Sequence, residues 1–202
     1  MEIRLFQSQD TAQIAQLFHD TVRTINLKDY SLSQVQAWAP DDIYFRDWVK
    51  VCSSRYTYVA IMPRFSKYDC REYRDDAPEQ VIVGFAELEI NGHIDCFYVH
   101  KDYQGRGVGK GLYQLIASQA ELQGCDRLYT EASITAKGFF LKQGFVIEQE
   151  QQVNVRGEVF KNYRMVKTSR AQGFAPPNLH LNPHPNLYPN LRSYHETKTT
   201  NS

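Results

Sequence analysis

The segment Gln104-Gly105-Arg106-Gly107-Val108-Gly109-Lys110-Gly111 constrains this chain more than any other. Before it, Ile94-Asp95-Cys96-Phe97-Tyr98-Val99 reads as an apolar strand. After it, Leu112, Leu115, Ile116 and Ala120 recur on one face of a helix that begins near Val108. A strand, a glycine-crowded turn and a helix start together make an anion cradle. Glycine lets the backbone approach an oxygen-rich group, and the free N–H groups of the first helical turn point at its charge. A phosphorylated ligand is the expectation.

Two familiar phosphate loops do not fit. A Walker loop would need a glycine at Gln104 and Ser or Thr at Gly111. The dinucleotide fingerprint puts its last glycine on Lys110 or on Leu112. The pattern Q/R-x-x-G-x-G/A does fit, over Gln104 to Gly109, and it resembles the acyl-CoA pyrophosphate motif of the GNAT N-acetyltransferase superfamily. Ala136-Lys137-Gly138-Phe139-Phe140-Leu141-Lys142-Gln143-Gly144-Phe145 resembles that family's next helix and strand start, and Val81–Leu88 its central strand. Gln34–Ala39 and Glu131–Ala136 are similar to phrases of the YafP-type subgroup. The resemblance runs over about residues 1–168. It implies the α+β GNAT fold, a mostly antiparallel mixed sheet with helices on both faces, and acetyl-CoA as co-substrate.

Composition agrees with a single folded domain at 1–168. A chain of 202 residues, 42% hydrophobic, can bury one substantial core. Formal charge is zero, with 23 basic and 23 acidic residues, so neither nucleic acid nor a membrane surface is an expected partner. No apolar run approaches a membrane span and the N-terminus carries no apolar signal segment, which points to the cytoplasm. Cys52, Cys70, Cys96 and Cys125 show no C-x-x-C spacing and read as reduced thiols. Residues 169–202 form a Pro/Asn-rich tail, expected to be extended or disordered, with Pro-Asn-Leu at 177–179, 185–187 and 189–191. His180 and His184 lie four apart, but Pro183 blocks the helix that would join them, so no metal is expected.

The expected elements are a strand at 2–6 and a helix opened by an Asp10/Gln13 capping box, with Ile14, Leu17, Phe18, Thr21, Val22 and Ile25 inward. A Ser31/Gln34 capping box opens a second helix that stops before Pro40. Helix is expected to continue over 42–51. Strands follow at 56–62, 81–90, 127–132, 146–153 and 158–165, with an insertion at 63–80 and a turn at Arg156-Gly157.

Acetyl transfer to an amine needs a neutral amine, a stabilised oxyanion and a departing thiolate. By resemblance, the Val99 N–H meets the oxyanion, while Phe97, Tyr98 and Val99 line the pantetheine. Gln104, Gly105, Arg106, Gly107, Val108 and Gly109 hold the pyrophosphate, and Ser133 and Phe140 lie near CoA. Ser133 also reads as a helix cap. Strand alternation puts His93, Asp95, Phe97 and Val99 on one face and Cys96 and Tyr98 on the other. Asp95 and His93 are the candidate bases, while Glu87, Glu89 and Glu131 read as structural or solvated charges. The family tyrosine that protonates the thiolate aligns with Phe140, which leaves Tyr98, Tyr129, Tyr163 or no acid at all. The acceptor pocket is expected from 21–40 and 152–162, with Tyr30, Trp38, Asp29, Asp41 and Asp42. A small-molecule amine is the expected acceptor and a homodimer is allowed. A non-catalytic acyl-CoA sensor and a protein N-acetyltransferase are the alternatives.

Overall fold

The computed structural model describes residues 1–63 and 80–168. The interior of the expected insertion and the whole tail, with Cys70, His180 and His184, lie outside the described residues. The elements run β1 (Glu2–Leu5), α1 (Thr11–Ile25), α2 (Leu32–Trp38), α3 (Trp48–Ser53), β2 (Tyr56–Pro63), β3 (Gln80–Leu88) and β4 (Ile94–Val99). Then come α4 (Val108–Leu122), β5 (Arg127–Ser133), α5 (Ile134–Lys142), β6 (Val146–Val155) and β7 (Glu158–Thr168). Among the described residues no helix is long and apolar enough to cross a membrane.

Two antiparallel sheets carry the site, one ordered β1-β2-β3-β4 and the other β5-β7-β6. Among the described residues they are joined by one parallel bridge, between His93 and Tyr129, where the Tyr129 N–H donates to the Gly92 carbonyl at 3.1 Å. Gly92 makes that contact possible. Its φ is +86°, and a Cβ there would lie 2.2 Å from the Arg127 carbonyl oxygen. Beyond the bridge, no strand among the described residues is hydrogen-bonded along the outer edge of β4.

The core has two layers. On one face of the first sheet α1 to α3 bury Ile14, Phe18, Val22, Trp48, Val59 and Phe85. On the other, α4, α5 and the second sheet bury Val83, Leu88, Leu112, Ile116, Phe140 and Met165. Each such side chain contributes about 1.5–3 kcal/mol relative to exposure. The inward residues read from the α4 periodicity are all buried.

Three local expectations are corrected. Asp10 does not cap α1 with its side chain. Its carboxylate instead accepts from the Gln7 N–H at 2.8 Å and from Arg4 at 2.7 and 2.8 Å, and Gln13 accepts from the Ile82 N–H at 3.0 Å. Helix does not run over 42–51: Asp47 caps it through the Lys50 N–H, so α3 starts at Trp48. Strand alternation also fails within β4. Ala86 faces Phe97 and Leu88 faces Ile94, so Asp95 and Cys96 together stand opposite Glu87 alone. This β-bulge turns Asp95 to the side of Cys96, away from Phe97.

Candidate active site

The glycine turn follows β4 as expected. The His100 N–H donates to the Val83 carbonyl at 2.8 Å. Antiparallel ladders alternate, so the N–H and C=O groups of Phe97 and Val99 point away from β3, into the gap between the sheets. The Val99 carbonyl accepts from Gln104 Nε2 at 3.4 Å and from Thr21 Oγ1 at 3.5 Å. Gly107 is the N-cap of the 15-residue α4, at φ +83°, and no side chain caps that end. A Cβ on Gly105 or Gly107 would meet nothing within 4 Å, so the space over the turn is open. Gly109 does different work. A Cβ there would approach Phe139 to 3.1 Å and Phe97 to 3.6 Å, so its smallness lets α4, α5 and β4 close together. An uncapped helix N-terminus under open space fits a pyrophosphate.

Around the turn, the Arg106 guanidinium lies 5.4 Å from the Tyr103 ring centroid. Val108 is buried beneath the first turn. Phe97 packs its ring at 5.0 Å from Phe139 and 5.5 Å from Phe140. Phe140 is only 1% exposed, so the structure places it in the core, with half-buried Phe139 on the side of Gly109. The Ser133 hydroxyl caps α5, accepting from the Ala136 N–H at 3.0 Å.

On the opposite side of β4 lies an open cavity of about 300 Å³. Its apolar wall is aromatic: Phe18, Tyr30, Trp38, Phe45, Tyr98 and Phe160. Its polar lining includes Asp95, Glu131, Ser133, Arg46 and Arg156. Both expected regions, 21–40 and 152–162, contribute. The three acids expected there do not. Asp29 accepts from Thr135 Oγ1 at 2.6 Å, Asp41 pairs with Arg23 at 2.7 Å, and Asp42 accepts from the Tyr44 N–H at 2.9 Å. Tyr30 lines the cavity with its ring, while its hydroxyl ties the Lys161 carbonyl (2.8 Å) to the Ile134 N–H (2.9 Å). Tyr98 stacks on Phe85 at 5.6 Å, and burial holds its phenol well above the usual value.

The acidic end of the cavity continues into a charged network. His93 Nε2 lies 2.6 Å from Glu131 Oε2, its Nδ1 lies 3.5 Å from Glu89, and its ring stacks on Tyr129 at 4.8 Å. Arg55 joins Asp95 to Glu87 (2.9 Å) and Glu89 (2.9 Å). Arg46 reaches Glu87 and the Cys96 thiol, each at 3.5 Å, and lies 4.4 Å from the Trp48 ring centroid. Glu87 is fully buried, and burial raises its carboxyl while Arg46 and Arg55 pull it back. Burial also pushes the Cys52 thiol up to about 12 and holds the Cys96 thiol well above its usual value, so neither is a ready nucleophile. Glu87, Asp95 and Cys96 converge as three metal ligands could, but guanidinium nitrogens already satisfy the two carboxylates. The sequence reading missed Arg46, Arg55 and Arg156. For Arg46 and Arg55 the one prior signal was Glu87, a carboxylate inside an apolar strand that needs a buried cation, while Arg156 was read only as a turn residue.

The chain's likenesses agree with this fold. Residues 27–167 match the family described as acetyltransferase (GNAT) domain. The uncharacterized N-acetyltransferase YafP of Escherichia coli (strain K12) is 32% identical over 166 residues, covering 82% of this chain and 94% of that protein. A GCN5-related N-acetyltransferase crystal structure from Rhodopseudomonas palustris is 32% identical, with a TM-score of 0.69 over 83% of this chain and 94% of its own. The PaiA N-acetyltransferase of Thermoplasma acidophilum, solved with coenzyme A, shares the fold at 15% identity, with a TM-score of 0.59 over 83% and 98%.

Proposed function

Since the chain belongs to the GNAT acetyltransferase family, we propose that it moves an acetyl group from acetyl-CoA to the primary amine of a small molecule. The observation that carries this reading is that β4 borders two spaces at once. Its outward backbone groups and the uncapped α4 terminus lie on one side, and the aromatic cavity lies on the other. A thioester on the first side and an amine in the second would meet at the strand. The modest cavity volume favours a small acceptor over a protein terminus. The cytoplasm, where thiols stay reduced, is the proposed compartment.

Within this reading the N–H groups of Gln104 to Gly109 receive the pyrophosphate, each charge-assisted bond contributing about 1.5–3 kcal/mol. Phe97 and Val99 offer outward amides to the pantetheine, and the Val99 N–H faces the carbonyl oxygen as it gains charge. The acceptor ammonium passes a proton to the Glu131 carboxylate, which lines the cavity. His93, hydrogen-bonded behind it, fixes its orientation. Asp95 is held by Arg55 and sets the field at the acidic end of the cavity. The amine nitrogen then forms its bond to the acetyl carbon as the carbon–sulfur bond breaks, and the nitrogen's second proton passes to solvent water. Sulfur leaves as thiolate, whose ordinary pKa of about 8.5 makes a dedicated acid dispensable.

The test is acceptor-dependent release of free CoA thiol, with the N-acetyl product identified by mass. Release that follows the amine supports transfer. Acetyl-CoA binding with no amine-dependent release across a broad amine panel would instead favour the non-catalytic sensor.

A further inference from the structure

Arg156 sits where its backbone least favours it. Val155 pairs with Glu158, so Arg156 and Gly157 are a two-residue hairpin turn, with φ of +49° and +85°. Turns of this kind favour Asn-Gly or Asp-Gly. Arg156 is the one non-glycine residue with positive φ among the described residues. A strained residue of this kind persists where its side chain is needed.

That side chain reaches the cavity. Its guanidinium lies 4.8 Å from the Phe45 ring centroid, and Nη1 donates to the Ala37 carbonyl at 2.8 Å. No carboxylate among the described residues forms an ion pair with it. Arg46, the other cationic group in the lining, is already engaged by buried Glu87. With Nη1 given to Ala37, the stacked guanidinium still has its Nε/Nη2 edge, which matches a carboxylate in two parallel bonds. The cavity thus has carboxylates at the sheet junction, Asp95 and Glu131, an aromatic wall, and an unneutralised cation at the hairpin tip.

We propose that the acceptor is a zwitterion, a primary amine that carries a carboxylate across a short apolar body, with Arg156 receiving the carboxylate. This rests on the acetyl-transfer reading and names its substrate class. A purely cationic amine would leave Arg156 unpaired as its surroundings lose water.

The test uses the full chain with acetyl-CoA and five probes: 6-aminohexanoic acid, its amide, hexylamine, 4-(aminomethyl)benzoic acid and its amide. Thiol release gives kcat/KM, and calorimetry gives binding. Each acid is expected to exceed its amide by about tenfold or more, the scale of one charge-assisted pair. Arg156→Asn and Arg156→Gly both suit the turn and should remove that preference. Amides or hexylamine used as well as the acids would overturn the proposal, as would failure of both acids to bind. Both variants keeping the acid preference would also overturn it, reducing Arg156 to a tie between the hairpin and α2. Absence of acetyl-CoA binding would remove the transfer reading itself, and this inference with it.

Discussion

His93 Nε2 and Glu131 Oε2 stand 2.6 Å apart, linking the lead-in of β4 to β5 beside the parallel bridge of His93 with Tyr129. The pair sits where the two sheets meet, and Glu131 lines the cavity, so one hydrogen bond serves both the fold and the proposed proton transfer. Glu131→Gln keeps the shape but cannot accept a proton. We expect kcat to fall by about 10²–10⁴, with acetyl-CoA affinity unchanged by calorimetry. His93→Ala should lower kcat less, because it frees the carboxylate to rotate rather than removing it. Unchanged kcat in Glu131→Gln would move the base elsewhere.

Arg55 holds three carboxylates, and Glu87 among them is fully buried. Arg55→Met leaves that charge short of a partner, at a cost of about 3–5 kcal/mol, read by urea unfolding. The deficit should depend on pH. Burial already raises the Glu87 carboxyl, and losing Arg55 removes one of the charges that pull it back. A carboxyl with a raised folded pKa binds more protons folded than unfolded, so its contribution to stability grows as pH falls through that value. The mutant's deficit should therefore shrink as pH falls toward the ordinary glutamate value. A deficit constant with pH would contradict this account of Glu87.

His100 precedes the glycine turn and accepts the Asp102 N–H on Nδ1 at 3.2 Å, which requires a neutral imidazole. Burial lowers its pKa below 6.5. The unfolded chain then takes up the proton first, so this contribution to stability is present above about pH 6.5 and is lost as pH falls through the lowered folded value. His100→Asn keeps an acceptor without titrating. Its thermal midpoint should fall less steeply than wild type between neutral and mildly acid pH.

Gly92→Ala should be among the most damaging small substitutions outside the cavity. Its Cβ would lie 2.2 Å from the Arg127 carbonyl oxygen, at a φ that side chains avoid. Overpacking alone costs about 1–3 kcal/mol, and relief requires the two sheets to part at the His93–Tyr129 bridge. We expect a lower thermal midpoint and weaker acetyl transfer together.

The sequence made the turn, the two closing strands and the Ser31 cap legible because each depends on local chemistry: glycine at positive φ, period-two alternation, a hydroxyl three residues before an N–H. The orientation of Asp95 was not legible. The bulge opposite Glu87 is a property of how β4 pairs with β3, which the alternation of β4 alone does not show, and one extra residue reverses every parity beyond it. Asp10 was misread for a related reason. Its side chain serves Arg4 and Gln7 instead of the helix it precedes, a choice set by how β1 enters α1. The charged network was hidden because Arg46 and Arg55 lie 41 and 32 residues from Glu87, and no spacing announces such a contact.

The central claim is that the turn at Gln104 to Gly109 holds acyl-CoA, and calorimetric titration with acetyl-CoA, ATP and NAD tests it most directly, comparing wild type with Gly107→Trp. The account predicts that acetyl-CoA binds, that the other two do not compete with it, and that the tryptophan, projecting into the open space over the turn, abolishes binding in a folded protein. Acetyl-CoA binding that survives Gly107→Trp, or a preference for ATP or NAD, would contradict it.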